Sequence, residues 1–177
     1  MPIEPETPDD SELDSTDRLF RRVLWSMPSG LYVIGSKAGN RSNLMTANLV
    51  IQISTEPRIV GVSIERHALT HRLIEEGGAF SVCLVGREDR NIIRKFVKPV
   101  EANVEGDELN GFGVFTAQTG VPILSSGIGY LDCVLVSQLE AGSHTLFAGR
   151  VVGAAFLGEG ESALPLRMED TRMHYGG

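Results

Sequence analysis

The chain has 177 residues, a formal charge of −7, 42% hydrophobic and 22% charged residues. That length suits one domain with a real core, and no apolar run approaches the ~20 residues that cross a membrane. The acidic balance argues against a nucleic-acid partner, which usually meets a basic face.

Residues 1–14, "MPIEPETPDDSELD", are acidic and Pro-rich and read as a disordered tail, so the domain is expected over 15–177. The stretch has neither the charged start nor the apolar centre of a secretory signal, so a cytoplasmic location is expected. With Asp14 or Ser15 as cap, Leu19, Phe20, Val23, Leu24 and Met27 predict an amphipathic helix that puts Arg18, Arg21 and Arg22 on its other face. "PSG" at 28–30 stops it. "LYVIGS" reads as a strand and "KAGN" as a turn.

Leu44 to Ile53 is expected to be one long strand. Its period of two puts Met45, Ala47, Leu49, Ile51 and Ile53 on a core face, and Thr46, Asn48, Val50 and Gln52 on the other. Asn is a poor strand former, and a merely solvated face would be expected to carry Lys or Glu. This polar row therefore asks for a ligand.

After the breaker "STEP", Ile59 to Glu65 predicts a further strand, "LTHRLIEEGG" a short helix with a Gly stop, "AFSVCLV" a strand, and "REDRNIIRKFVKP" a helix ended by Pro99. Val100 to Ser126 is Gly-rich with little periodicity and is expected to run irregularly over the surface. Ile128 to Leu139 and His144 to Phe156 form two final strands joined by the hairpin signal "EAGS". About six strands with few helices between them make a mainly β fold, an antiparallel barrel, and argue against a doubly wound sheet. Cys83 and Cys133, the only cysteines, lie in strand-like segments and read as buried free thiols.

No dinucleotide fingerprint, phosphate loop or nucleophile elbow occurs, and neither paired carboxylates nor a Ser-His-Asp set stands out. His67 and His71 have the spacing of zinc ligands on a helix, but a third ligand and a hydrolytic glutamate are missing. The same segment offers Arg66, the Thr70 hydroxyl and the free amides of a helix start. This is either a phosphate site or only a capped helix with a solvated Arg. Arg94 and Lys95, beside the apolar Ile92, Ile93 and Phe96, are a second source of positive charge. His144 opens an apolar strand beside a Gly turn, the usual place of a surface residue. Any redox chemistry has to come from a cofactor.

Four stretches in register, "MPSGLYVIGS", "MTANLVIQISTEPRIVGVSIE", "RHALTHRLIEEGGAFSVCLV" and "HTLFAGRV", closely resemble the flavin reductase-like family of FMN-binding split barrels, from about Leu19 to Phe156. The resemblance implies a split β-barrel, antiparallel and Greek-key-like, that works as a homodimer with FMN near the subunit interface. The "MTAN" strand then lies along the flavin ring, with Met45, Thr46, Ala47, Asn48 and Gln52 as contacts. Ser63, Ile64, Glu65, Arg66 and Thr70 hold the ribityl and phosphate end, with Lys95 and Phe96 at the margin. His144 matches the histidine of the family's "GDHT" hairpin and is placed beside the nicotinamide of NADH or NADPH. Ser143 stands where that motif usually has Asp, and Leu49 to Gln52 replaces a run richer in Ser and Thr.

The implied activity is NAD(P)H:flavin oxidoreduction, with reduced flavin or electrons passed to a monooxygenase or an electron carrier. The rivals are an FMN electron carrier that serves a rubredoxin or diiron protein, and a flavin-binding module without turnover.

Overall fold

The computed structural model describes residues 10–97, 104, 105, 107–171 and 173. Among these residues three α-helices, α1 (Asp10–Trp25), α2 (Leu69–Gly77) and α3 (Arg90–Lys95), accompany a large and a small antiparallel sheet. The large sheet contains β1 (Tyr32–Ala38), β2 (Arg41–Ala47), β3 (Val50–Thr55), β4 (Arg58–Glu65), β5 (Ala79–Leu84), β10 (Gly129–Ala141) and β11 (His144–Phe156), in the order β2-β1-β5-β10-β11-β4-β3.

That order forces a barrel. In a flat sheet of seven strands the edges β2 and β3 would stand roughly 29 Å apart. Yet Ala47 and Val50, which end one and begin the other, are joined by a link that spans at most about 11 Å. Bulges at Asp132/Cys133 and Leu135/Ser137 in the β10–β11 ladder bend the two longest strands, as the curl requires. The expected mainly β antiparallel barrel is the fold observed.

The sheet is buried on both faces along β1 and β5. Ile34, Phe80 and Val82 fill one core with Val62, Ile64, Ile74 and Phe147, while Val33 and Cys83 enter a second with Ile93, Phe96, Ile123 and Leu124. This explains why both strands read as continuous apolar runs rather than alternating ones. Gly35 is needed where the second sheet crosses β1, because a Cβ there would collide with the Pro122 carbonyl.

Several expectations need correction. The single strand over 44–53 is two strands, β2 and β3, split at Asn48, whose carbonyl accepts the Val50 amide across a tight turn at 3.0 Å. The expected core face of the second half is not covered within this chain: Leu49 is 42% exposed, Ile51 63% and Ile53 46%. Period two identifies an apolar face but not what packs on it.

The first helix begins at Asp10, so residues 10–14 belong to it rather than to a tail, and Asp14 and Ser15 lie inside it. Asp14 and Asp17 pair with Arg18 and Arg21 one turn on, the spacing at which helical side chains meet. The apolar stripe Leu19, Phe20, Val23 and Leu24 is exposed.

The third helix ends at Lys95, and Pro99, expected to stop it, is outside the described residues, as are residues 1–9. The segment over 100–126 is not irregular throughout. It contains the small sheet β6 (Val104–Glu105), β7 (Glu108–Leu109), β8 (Phe112–Thr116) and β9 (Pro122–Leu124), in that order. Asn110 and Gly111 turn between β7 and β8 at φ 55° and 80°, the hairpin signature that a Gly count passes over.

Candidate functional site

A pocket of about 200 Å³ opens where the end of β2, the end of β4, the start of α2, the residues after α3 and the β10–β11 turn converge. Its wall brings together Met45, Ala47, Asn48, Ser63, Ile64, Glu65, Thr70, Phe96 and His144, nine of the expected site residues.

The polar groups of this wall are arranged unevenly. Asn43 donates from Nδ2 to Thr70 Oγ1 at 2.8 Å, both side chains being buried, so β2 and the first turn of α2 are locked together. Asn43 Oδ1 and Asn48 Oδ1 are buried and accept no hydrogen bond. A buried unpaired acceptor costs roughly 1–3 kcal/mol, and both belong to residues that line this one pocket and find no donor among the described residues.

The second helix adds open donors. It starts after Ala68, whose side chain makes no cap, and it has no acidic residue in its first turn. Its first amides and the positive end of its dipole are therefore left for an anion. At its other end Gly78, at φ 68°, gives its amide to the Ile74 carbonyl and stops the helix.

At the hairpin tip, Ser143 Oγ lies 2.9 Å from His144 Nδ1. Ser143 fills the position expected to hold Asp, and its hydroxyl occupies the orienting place beside the ring. The tip is docked on the β4–α2 loop by the Arg66 amide, which donates to the Ser143 carbonyl at 2.9 Å.

Four expected contacts are not part of this wall. Thr46 is buried, but its hydroxyl donates to the Ile93 carbonyl at 2.7 Å and its amide to the Phe96 carbonyl at 3.0 Å. Both bonds tie β2 to the end of α3, the Ile93 carbonyl also accepting the Phe96 amide at 3.2 Å. Gln52 lies on β3, beyond the break, and donates to the Ser54 carbonyl of its own strand. The Arg66 guanidinium is half exposed and faces Glu140 at 3.5 Å. Lys95 is exposed at the end of α3.

The pocket also contains residues that the expected site lacks, namely Asn43, Leu44, His67, Ala68, Leu69 and Val97. Asn43 is two positions before Met45 on the same face, but its bond to Thr70 spans 27 residues, and no local pattern announces it. His67 and His71 part company. His67 is exposed at the pocket mouth, while His71 is buried with Nε2 2.8 Å from Thr145 Oγ1. Burial pushes the Cys83 thiol up to about 11 and Cys133 up to about 12, the latter helped by the Asp132 carboxylate, so both stay protonated and inert.

A split barrel that gathers unpaired acceptors and an open helix start around one pocket has the form of a small-molecule binding protein. The chain belongs to the flavin reductase like domain family, whose sequence profile matches residues 24–177. It is 34% identical over 142 residues to the high molecular weight rubredoxin of Moorella thermoacetica, covering 79% of this chain and 61% of that protein. The chain thus spans about three fifths of that relative's length. It is 29% identical over 164 residues to the NADH-dependent flavin reductase StyB of Pseudomonas fluorescens, covering 92% and 91% of the two chains. In shape it resembles the NADH:FAD oxidoreductase SgcE6 of Streptomyces globisporus over the full length of both chains, with a TM-score of 0.77 at 21% identity.

Proposed function

We propose that the protein is an NAD(P)H-dependent flavin reductase that holds FMN in the pocket beside β2 and α2. The observation that carries this reading is the pair of buried, unpartnered oxygens, Asn43 Oδ1 and Asn48 Oδ1, in the wall of a pocket bordered by an uncapped helix start. The flavin, when bound, supplies the redox chemistry by taking a hydride from nicotinamide. The chain supplies position. Asn43 and Asn48 accept from the cofactor's polar edge, the first amides of α2 meet the phosphate, and Phe96 and Met45 give apolar contact. His144, set by Ser143, faces the nicotinamide.

Kinship along nearly the full length with a reductase named for NADH supports this reading. The exposed stripe of α1 and the exposed Leu49, Ile51 and Ile53 support a homodimer, since apolar area of this extent seeks cover. Two buried, protonated thiols accord with a reducing cytoplasm, and no described helix is long and apolar enough to cross a membrane. Reduced flavin or its electrons then pass to a partner such as a monooxygenase. A second reading, an FMN electron carrier for a rubredoxin, is favoured by the 34% identity with a rubredoxin-named relative.

The purified protein is expected to bind FMN in an absorbance titration and to oxidise NADH or NADPH faster when free flavin is added. Tight FMN with negligible NAD(P)H oxidation would shift the assignment to the carrier, and absence of flavin binding would remove both.

A further inference from the structure

Behind the pocket wall lies a second set of polar side chains that flavin contact does not explain. His71, in the first turns of α2, is buried, and its Nε2 lies 2.8 Å from Thr145 Oγ1, itself buried at the start of β11. The other edge of the ring faces Glu75 Oε2 at 3.4 Å, without the alignment of a hydrogen bond. Glu75 Oε1 in turn accepts Gln138 Nε2 of β10 at 3.2 Å. The His71 ring also packs edge-on against Phe147, with centroids 4.9 Å apart. The second helix is therefore fastened to both strands of the hairpin whose tip carries His144.

Within this set the His71–Thr145 bond is placed to matter most. Thr145 follows His144 directly, and successive strand residues point to opposite faces, so a Thr145 side chain held inward fixes His144 outward. His71 follows Thr70, whose hydroxyl is held by Asn43 in the pocket wall. One bond thus ties the residue behind the nicotinamide histidine to the residue behind the cofactor cradle.

We infer that His71 is a positioning residue: through Thr145 it holds the hairpin tip on α2 and so sets His144 against the pocket. The inference rests on the reading of His144 given above. It differs from a packing role in the sign of two substitutions. Thr145→Val keeps the volume and loses the hydroxyl, whereas Thr145→Ser keeps the hydroxyl and loses a methyl.

The test begins on the flavin-free protein. Exchange of the Arg66 amide, which donates to the Ser143 carbonyl, reports whether the tip is docked. Thr145→Val is expected to speed that exchange roughly two- to tenfold, the size of one net hydrogen bond, and Thr145→Ser to leave it near wild type. His71→Phe, which keeps a ring against Phe147, breaks the same bond from the other side. Combined with Thr145→Val it should add nothing.

In the flavin-loaded protein, Thr145→Val should raise KM for NAD(P)H or slow flavin reduction by a similar factor with flavin affinity unchanged. That effect should vanish in a His144→Ala background. Faster exchange in Thr145→Ser than in Thr145→Val, or unchanged exchange in both Thr145→Val and His71→Phe, overturns the inference. Altered exchange together with a kinetically silent His144→Ala leaves the docking bond standing and removes the reading of His144.

Discussion

At the foot of α1 a groove of about 810 Å³ opens among Trp25, Met27, Pro165, Met168 and Met173, whereas the pocket beside β2 encloses about 200 Å³. The backbone of the groove is paired: the Leu31 amide donates to the Leu166 carbonyl at 3.1 Å and the Met168 amide to the Ser29 carbonyl at 2.9 Å. Its rim charges pair as well, Arg167 with Glu169 at 3.2 Å. Among the described residues, none of the buried unpaired side-chain atoms lines the groove, while two line the pocket. Volume measures how far elements diverge; unpaired buried groups measure what a cavity lacks. The smaller hollow is the one that lacks something.

The strongest way to break this comparison is His144→Ala. It should lower the rate of flavin reduction by NAD(P)H by up to about 100-fold, since small misplacements of reacting atoms are steeply costly. Flavin affinity should hold, and anaerobic stopped-flow with a parallel flavin titration measures both. A wild-type rate would detach the hairpin from the chemistry.

Asn48→Leu sharpens the contrast, because its two readouts move in opposite directions. Loss of the acceptor should weaken flavin binding by about 5- to 100-fold, while relief of a buried unpaired oxygen leaves the flavin-free protein as stable or more so. Urea melts beside flavin titrations check this, and a large loss of stability with flavin binding intact would show that Asn48 serves the fold instead.

Thr46→Val should cost about 1 kcal/mol of unfolding free energy through the lost bond to the Ile93 carbonyl, with flavin affinity changed less than Asn48→Leu changes it. The reverse ranking in the same titrations would return Thr46 to the cofactor's contacts.

The smallest effect is expected beside the groove, where the Arg167 amide and the Arg87 guanidinium hold the Asp170 carboxyl below its ordinary value of 3.8. A carboxyl that releases its proton more readily folded than unfolded stabilises the fold above that ordinary value, and the contribution fades as pH falls through the depressed one. Asp170→Asn should therefore flatten the acid limb of thermal stability below about pH 4 without altering flavin binding. An unchanged acid limb would show that the cluster contributes nothing measurable.

The sequence made the barrel strands legible because β1, β5, β10 and β11 are strand-like runs bounded by Gly or Pro, and the family motifs pointed to Ala47, Asn48, Ser63, Thr70 and His144, which the fold brings to one pocket. The break at Asn48 was hidden, since alternation continues through it from Met45 to Ile53 and no Gly or Pro marks it. Thr46 and Gln52, expected on one face of a single strand, therefore lie on different strands at the two ends of the sheet order. The exposed stripes on α1 and β3 illustrate a different limit. Hydrophobic pattern reports a need for burial, but the partner that meets it is not written in the same segment. The Asn43–Thr70 bond depends on register between elements far apart in the chain, which only the assembled fold specifies.

The sheet order also sets a timetable. Hairpins β1–β2 and β3–β4 come first along the chain, and although Ile34 and Ala47 share a core with Val60, Val62 and Ile64, their ladders are linked only through β5, β10 and β11 on one side and the two residues 48–49 on the other. Until the last long hairpin, ending at Phe156, slots between β5 and β4, the two early hairpins have no ladder connecting them. Pairings this distant in sequence are slow to form. The pocket, which draws its walls from β2, β4 and the tip of that last hairpin, needs this distant pairing before its walls stand together, so it is among the last features of the barrel to form.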